Sequence, residues 1–147
     1  MTAAEHDPTP LRLLVVDADR RVRSSLAGLL ALAEHVEVVG SAGHARAAVD
    51  ACEAERPDAV VIDPRLPELP EGIAFVRGLR ADHPEVRVVV VAWSSSLALL
   101  LGDDPGIVLV AADGGDLADR IVDALRPPGD AAGGPRPDPD ARLAPTA

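Results

Sequence analysis

Apolar residues are distributed along this chain in two textures. Some form short unbroken runs, and others recur three or four positions apart. Leu11 to Val16 (Leu-Arg-Leu-Leu-Val-Val), Ala59 to Ile62 and Arg87 to Ala92 are runs with little or no polar alternation. Such runs predict strands buried on both faces. Val36 to Gly40 and Ile107 to Val110 predict two shorter strands. Helical stripes lie between them. Val22, Leu26, Leu29/Leu30 and Ala33 follow Asp19, a predicted N-cap. Ala45, Ala48, Val49 and Cys52 form a second stripe that stops at Arg56-Pro57. Ile73, Val76 and Leu79 form a third, closed by His83-Pro84, after a proline-rich stretch from Pro64 to Gly72 that reads as a loop. Ser94 to Leu101 reads as a short helix capped by Ser94 or Ser95, and Gly102 to Gly106 as a turn. Leu117, Ile121 and Leu125 form a last stripe that starts near Asp116 and ends at Pro127-Pro128-Gly129.

Strands alternating with helices at crossover length predict an α/β fold: a doubly wound five-stranded parallel sheet with helices on both faces. The common order for five strands is 2-1-3-4-5, the flavodoxin-like arrangement, and ligands bind at the switch point between strands one and three. Asp17 and Asp63 end those two strands. Two carboxylates are therefore expected close together at the mouth of the sheet. The predicted organisation is a disordered N-terminus over 1–10, one folded domain over 11–126 and a disordered tail over 127–147. The tail holds six Pro and three Gly, too little apolar surface to offset the entropy of ordering. It reads as a neutral tail or a linker.

Composition narrows the function. The net charge of −10 argues against a nucleic-acid partner, which requires clustered basic residues. All fourteen basic residues are Arg, so no lysine ammonium is available to any site. Arg20, Arg21 and Arg23 cluster at the start of the first helix and read as a solvated face. The single cysteine, Cys52, excludes an intrachain disulfide and reads as inert core. His6, His35, His44 and His83 have no zinc-ligand spacing. The N-terminus lacks a signal-peptide pattern and the apolar runs are too short to span a bilayer. A soluble, cytoplasmic protein without a membrane partner is expected.

The sequence resembles the receiver domain of bacterial two-component response regulators over residues 11–126. The resemblance rests on Leu-Leu-Val-Val-Asp17, on Pro57-Asp-Ala-Val-Val-Ile-Asp63-Pro-Arg-Leu-Pro67 followed by Gly72, and on Gly106-Ile-Val-Leu with Leu117 eleven residues on. It implies a non-enzymatic signalling module whose Asp63 accepts a phosphoryl group from a histidine kinase. It also implies a magnesium ion held by Asp17 and Asp63 to neutralise charge on that group. Three parts of the family's site are missing. Ala18 stands where the direct metal ligand belongs, with Asp19 one residue further on. Ala92 stands in place of a hydroxyl, with Ser94 two residues later, and Val110 in place of the lysine. These losses remove most of the stabilisation of phosphoryl charge.

Two functions compete. One is a single-domain phosphorelay receiver with Asp63 as phosphoacceptor in an incomplete site. The other is a phosphorylation-independent pseudo-receiver that binds a signalling protein. For Asp63 the plain alternative is a strand-end aspartate, and for Asp17 a turn or cap residue. Trp93 beside the site is expected to pack on the fourth helix rather than cover the carboxylate. The segment between Ala92 and Val110 is about one helical turn shorter than the family's. It carries Trp93, Leu97, Leu99, Leu100 and Leu101, which predicts a homodimer or partner surface on the face from the fourth to the fifth helix. A small enzyme or flavin protein on this topology is disfavoured, because Asp17-Ala-Asp-Arg replaces a glycine-rich phosphate loop.

Overall fold

Successive residues of the apolar runs face opposite sides of one sheet, and each side has its own core. The computed structural model describes residues 9–113 and 115–126. In chain order the elements are β1 (Leu11–Val16), α1 (Arg20–Ala31), β2 (Val36–Ala42), α2 (Ala45–Glu55), β3 (Ala59–Ile62), α3 (Leu69–Asp82), β4 (Arg87–Ala92), α4 (Leu97–Leu101), β5 (Ile107–Ala111) and α5 (Leu117–Leu125). The five strands are parallel and stand in the order β2-β1-β3-β4-β5. The doubly wound, flavodoxin-like sheet expected from the alternating pattern is therefore the one observed.

Leu14, Val16, Val60, Ile62, Val88 and Val90 pack beneath α2, α3 and α4. Their neighbours Leu13, Val15, Val61, Val89 and Val91 pack beneath α1 and α5. A period of two on a sheet covered on both sides explains why the runs show no polar gaps. Cys52 lies in the first of these cores, and burial pushes its thiol up to about 11. That suits an inert core residue.

Several boundaries differ from expectation. β2 extends to Ala42 and β5 to Ala111. The stretch Pro64 to Gly72 is not all loop, because α3 begins at Leu69 with Pro70 in its first turn. Proline is tolerated there, since the first-turn N–H groups have no intrahelical partner. Ser94 to Ser96 form a turn ahead of α4, and Ser96 occupies its N-cap position without a side-chain bond to the helix. Val22, Leu29 and Val49, assigned to buried stripes, are exposed. The inward positions of α1 and α2 are Leu26, Leu30, Ala48 and Cys52. The expectations for residues 1–8 and 127–147 lie outside the described residues.

Two devices fix the ends of the elements. At Gly72 the first turn of α3 passes so close to Pro64 that a Cβ would collide with the Pro64 carbonyl group. Arginine side chains brace backbone carbonyls elsewhere. Arg12 reaches the carbonyls of Glu55 and Arg56 at the end of α2. Arg87 reaches Ala124 and Leu125 at the end of α5. Arg80 reaches Pro84 and Val86, and pairs with Asp104 through Nε at 2.8 Å and Nη2 at 3.0 Å. The contacts of Arg12 and Arg87 satisfy carbonyls that helix ends leave without partners, and those of Arg80 tie the turn before β4 to the turn before β5.

Candidate functional site

Strand register brings the two predicted carboxylates together. Val16 pairs with Ile62, so Asp17 and Asp63 leave adjacent strands at one level. The backbone N–H of Asp63 donates to the Val16 carbonyl at 3.0 Å, and that of Asp17 to Ala42 at 3.1 Å. Both side chains sit at the C-terminal edge of the sheet and are nearly covered, with 6% exposure for Asp17 and 7% for Asp63. They are the buried charged residues among those described.

The two carboxylates differ in their company. Asp17 Oδ1 accepts from the Asp19 backbone N–H at 2.8 Å, and among the described residues no cationic side chain is bonded to it. Burial raises its pKa above the usual carboxylate value, and the nearby charges of Asp63 and Asp19 add to that. Burial acts on Asp63 in the same direction, but bonds from Arg65 and Trp93 outweigh it and hold its pKa below the usual value. Arg65 donates its backbone N–H and its Nε to Oδ1, each at 3.0 Å, and its Nη2 to Oδ2 at 2.6 Å. Trp93 Nε1 donates to Oδ2 at 3.1 Å. The Arg65 guanidinium carbon lies 4.8 Å from the centre of the Trp93 ring, a cation–π distance. Asp63, Arg65 and Trp93 thus close a ring of contacts.

Trp93 corrects one expectation. Its indole N–H bonds the Asp63 carboxylate, and the side chain leans over the site rather than serving the fourth helix as packing. Arg65 was not singled out in the sequence, although it follows Asp63 by two residues. A carboxylate that accepts the N–H two positions later is a common turn geometry, and that was the available signal.

The remaining positions also resolve. Asp19 caps α1 through Oδ1, accepting from Arg21 and Val22 at 2.9 and 3.2 Å, and it does not join Asp17 and Asp63 in a three-carboxylate group among the described residues. It therefore does not replace the ligand that Ala18 lacks. Ala92 and Val110 are buried in the two cores, Ala92 on the α2–α4 side and Val110 on the α1–α5 side. Ser94 bonds within its own turn to Ser96. Arg23 is more than a solvated residue, because its Nη1 donates to the Asp17 carbonyl at 2.9 Å and steadies the β1–α1 turn.

Magnesium fits this arrangement poorly. The ion requires several oxygen ligands in near-octahedral order. Both Asp63 oxygens are occupied by donors, one of them cationic, and Asp17 is the other carboxylate at the site. Among the described residues no group of three or more His, Cys, Asp or Glu is placed to hold a metal.

A family model for the response regulator receiver domain matches residues 13–102. The chain belongs to the response regulator receiver family. Among curated proteins this receiver is 39% identical over 98 residues to protein-glutamate methylesterase/protein-glutamine glutaminase 5 of Anaeromyxobacter dehalogenans, a match covering 67% of this chain and 25% of that protein. It is 32% identical over 117 residues to the DNA-binding transcriptional activator DevR/DosR of Mycobacterium tuberculosis, covering 77% of this chain and 54% of that one. The chain therefore spans a quarter to about half the length of these relatives. Among solved structures, the response regulator domain of Thermotoga maritima CheB shares the fold, with a TM-score of 0.65, 20% identity, and coverage of 80% of this chain and 94% of that one. A receiver fits a regulator rather than an enzyme, and phosphorelay signalling is the setting consistent with the family. No helix among the described residues is long and apolar enough to cross a membrane.

Proposed function

We propose that this receiver serves signalling as a protein-interaction module that works without phosphorylation. The observation that carries this reading is the state of Asp63. Its two oxygens are engaged by a guanidinium fork and an indole N–H. The positions of the hydroxyl and the ammonium are filled by Ala92 and Val110, both buried apolar residues. A phosphoryl group approaching Asp63 would have to displace Arg65. It would find little charge stabilisation in return, and electrostatic stabilisation is the main resource of such sites. Magnesium is not required in this reading.

The proposed contact surface is the face made by α4, β5 and α5. Leu99 of α4 is 86% exposed, and Leu100, beside α3, is exposed as well, more apolar surface than so short a helix needs to hold itself to the sheet. The proposed partner is a histidine kinase or another signalling protein, or a second copy of this chain, in the cytoplasm.

One observation favours the other reading, in which Asp63 is a phosphoacceptor. Asp63 is held ionised, as a nucleophilic carboxylate must be, and the Arg65 side chain is 53% exposed, so it has room to swing into solvent. Intact-mass measurement after incubation with a small phosphodonor, with and without magnesium, separates the two readings. The interaction-module reading expects no adduct, and partner binding unchanged by Asp63→Asn. A phosphoryl adduct that disappears in Asp63→Asn would establish the phosphoacceptor instead.

A further inference from the structure

We infer that Arg65 takes the place of the divalent cation at this receiver's acidic site, and that its guanidinium shuts the ion out while linking Asp63 to Trp93. The inference extends the reading above and rests on the same carboxylate, but its test is independent of phosphorylation.

Asp63 and Asp17 are both nearly buried at one edge of the sheet, and two neighbouring buried carboxylates stay ionised together only beside a cation. The chain has no lysine, and the histidines are elsewhere in sequence. Arg65 supplies the charge from inside the chain. Its backbone N–H and Nε converge on Oδ1 while Nη2 takes Oδ2, so a single residue grips the carboxylate by three bonds. Arginine remains protonated throughout the accessible pH range, and its planar fork matches both carboxylate oxygens.

A magnesium ion would have to compete with a donor tethered two residues away, whose effective concentration at Asp63 is high even though its side chain is half exposed. It would also have to shed tightly held water to bind oxygens that already carry hydrogen bonds. A third carboxylate ligand is missing as well, because Ala18 has no donor atom and Asp19, which uses Oδ1 to cap α1, forms no three-ligand group with Asp17 and Asp63 among the described residues. The donor set thus suits a guanidinium and not an ion.

The second half of the inference concerns Trp93. It is the first residue after β4 and stands immediately before the Ser94–Ser96 turn that leads into α4. Its N–H shares Oδ2 with Arg65 Nη2, and its ring lies against the guanidinium. The internal cation therefore also ties the entry of α4 to Asp63. The fold sets the position of that loop with no added ligand.

Trp93 is the chain's single tryptophan, so its emission reports on the partners of Asp63. The test is a titration of the full chain with magnesium and with manganese, following that emission. The variants are Arg65→Ala, Arg65→Gln, Asp63→Asn and the Arg65→Gln/Asp63→Asn pair, each checked for folding by circular dichroism. The wild type should give a flat response to tens of millimolar metal. Arg65→Ala and Arg65→Gln should each gain a saturable change that the added Asp63→Asn substitution abolishes. Arg65→Gln keeps the bulk and polarity of the side chain and removes its charge, so it tests the cation even where the alanine variant folds poorly. A saturable metal response in the wild type that Asp63→Asn removes would overturn the inference. A flat response in a folded Arg65→Gln protein would overturn it too, because something other than Arg65 would then exclude the ion. A metal-independent phosphoryl adduct on Asp63 would end the interaction-module reading and leave this inference standing.

Discussion

Replacing Arg65 by alanine leaves Asp63 nearly buried, with one backbone N–H and one indole as its donors. The expected cost can be bounded from the geometry. Net hydrogen bonds to charged groups stabilise by ~1.5–3 kcal/mol, and breaking a fully buried ion pair costs ~3–5 kcal/mol. The Arg65 side chain is half exposed, however, and freely exposed pairs give only ~0.2–1 kcal/mol. The contact lies between these limits, so the coupling between Arg65 and Asp63 should be about 1–2 kcal/mol. A double-mutant cycle isolates it: wild type, Arg65→Ala, Asp63→Asn and the pair, unfolded in urea. Far-ultraviolet circular dichroism is the suitable probe, since Trp93 emission changes with the contact itself. With a urea dependence of ~2 kcal/mol/M, within the usual range for small domains, Arg65→Ala should lower the midpoint by about 0.5–1 M with an unchanged slope. The same substitution in the Asp63→Asn background should cost much less. A coupling below ~0.3 kcal/mol, the noise of additivity, would show that the fork carries no energy in solution and would refute the reasoning.

Asp17→Asn should raise the urea midpoint at neutral pH, since asparagine keeps an acceptor for the Asp19 N–H and removes a buried charge facing Asp63. The two carboxylates oppose each other in acid. Asp17, with its pKa raised in the fold, contributes stability below the unfolded carboxylate pKa and loses it as pH rises through the folded value. Asp63, with its pKa lowered, contributes above the unfolded value and loses it as pH falls through the folded one. In acid-unfolding curves Asp63→Asn should therefore flatten the low-pH decline, and a decline as steep as in the wild type would count against it. Gly72→Ala should destabilise by about 1–3 kcal/mol or more, as overpacking does, because Pro64 must move away from α3. Thermal melting checks this, and an unchanged Tm would mean that the loop yields freely. Arg80→Ala should lower stability by about 2–3 kcal/mol, since this largely covered guanidinium serves Asp104 and the carbonyls of Pro84 and Val86. Hydrogen exchange should then rise first in the turns before β4 and β5, and uniform protection loss would contradict a local brace.

The sheet was legible because its signal is redundant. Each central strand is apolar on both faces, so the run Ala59–Ile62 and the run from Val88 to Ala92 could not be misplaced without burying a polar residue. The meeting of Asp17 and Asp63 followed from topology alone, once both were seen to end strands that flank the switch point. Helix faces were less legible. Val22, Leu29 and Val49 match the spacing of a stripe, but a short helix on a sheet buries only a narrow face, and alanines such as Ala48 suffice to fill it. Pro70 looked like a loop residue and proved to be a helix-starting one. Arg65 and Trp93 were the least legible. Their role depends on how a loop folds back over a strand end, and neither periodicity nor composition records that. Ala18, Ala92 and Val110 show in the sequence by residue type alone, whereas Arg65, two residues from Asp63, shows its role only through the folded loop.

The arginine braces have a consequence for alkali. Arg12, Arg80, Arg87 and Arg120 each hold a carbonyl at the end of a strand, helix or turn. A guanidinium loses its proton only above a pH of ~12, while an ammonium in the same place would begin to fail near ~10.4. The chain also has no tyrosine to ionise in that range. Its clamps thus stay charged while the solution turns basic, so the buried Cys52 thiol, held at about 11, ionises before they fail, and of the two site carboxylates Asp63 is the one whose protonation weakens the fold in acid.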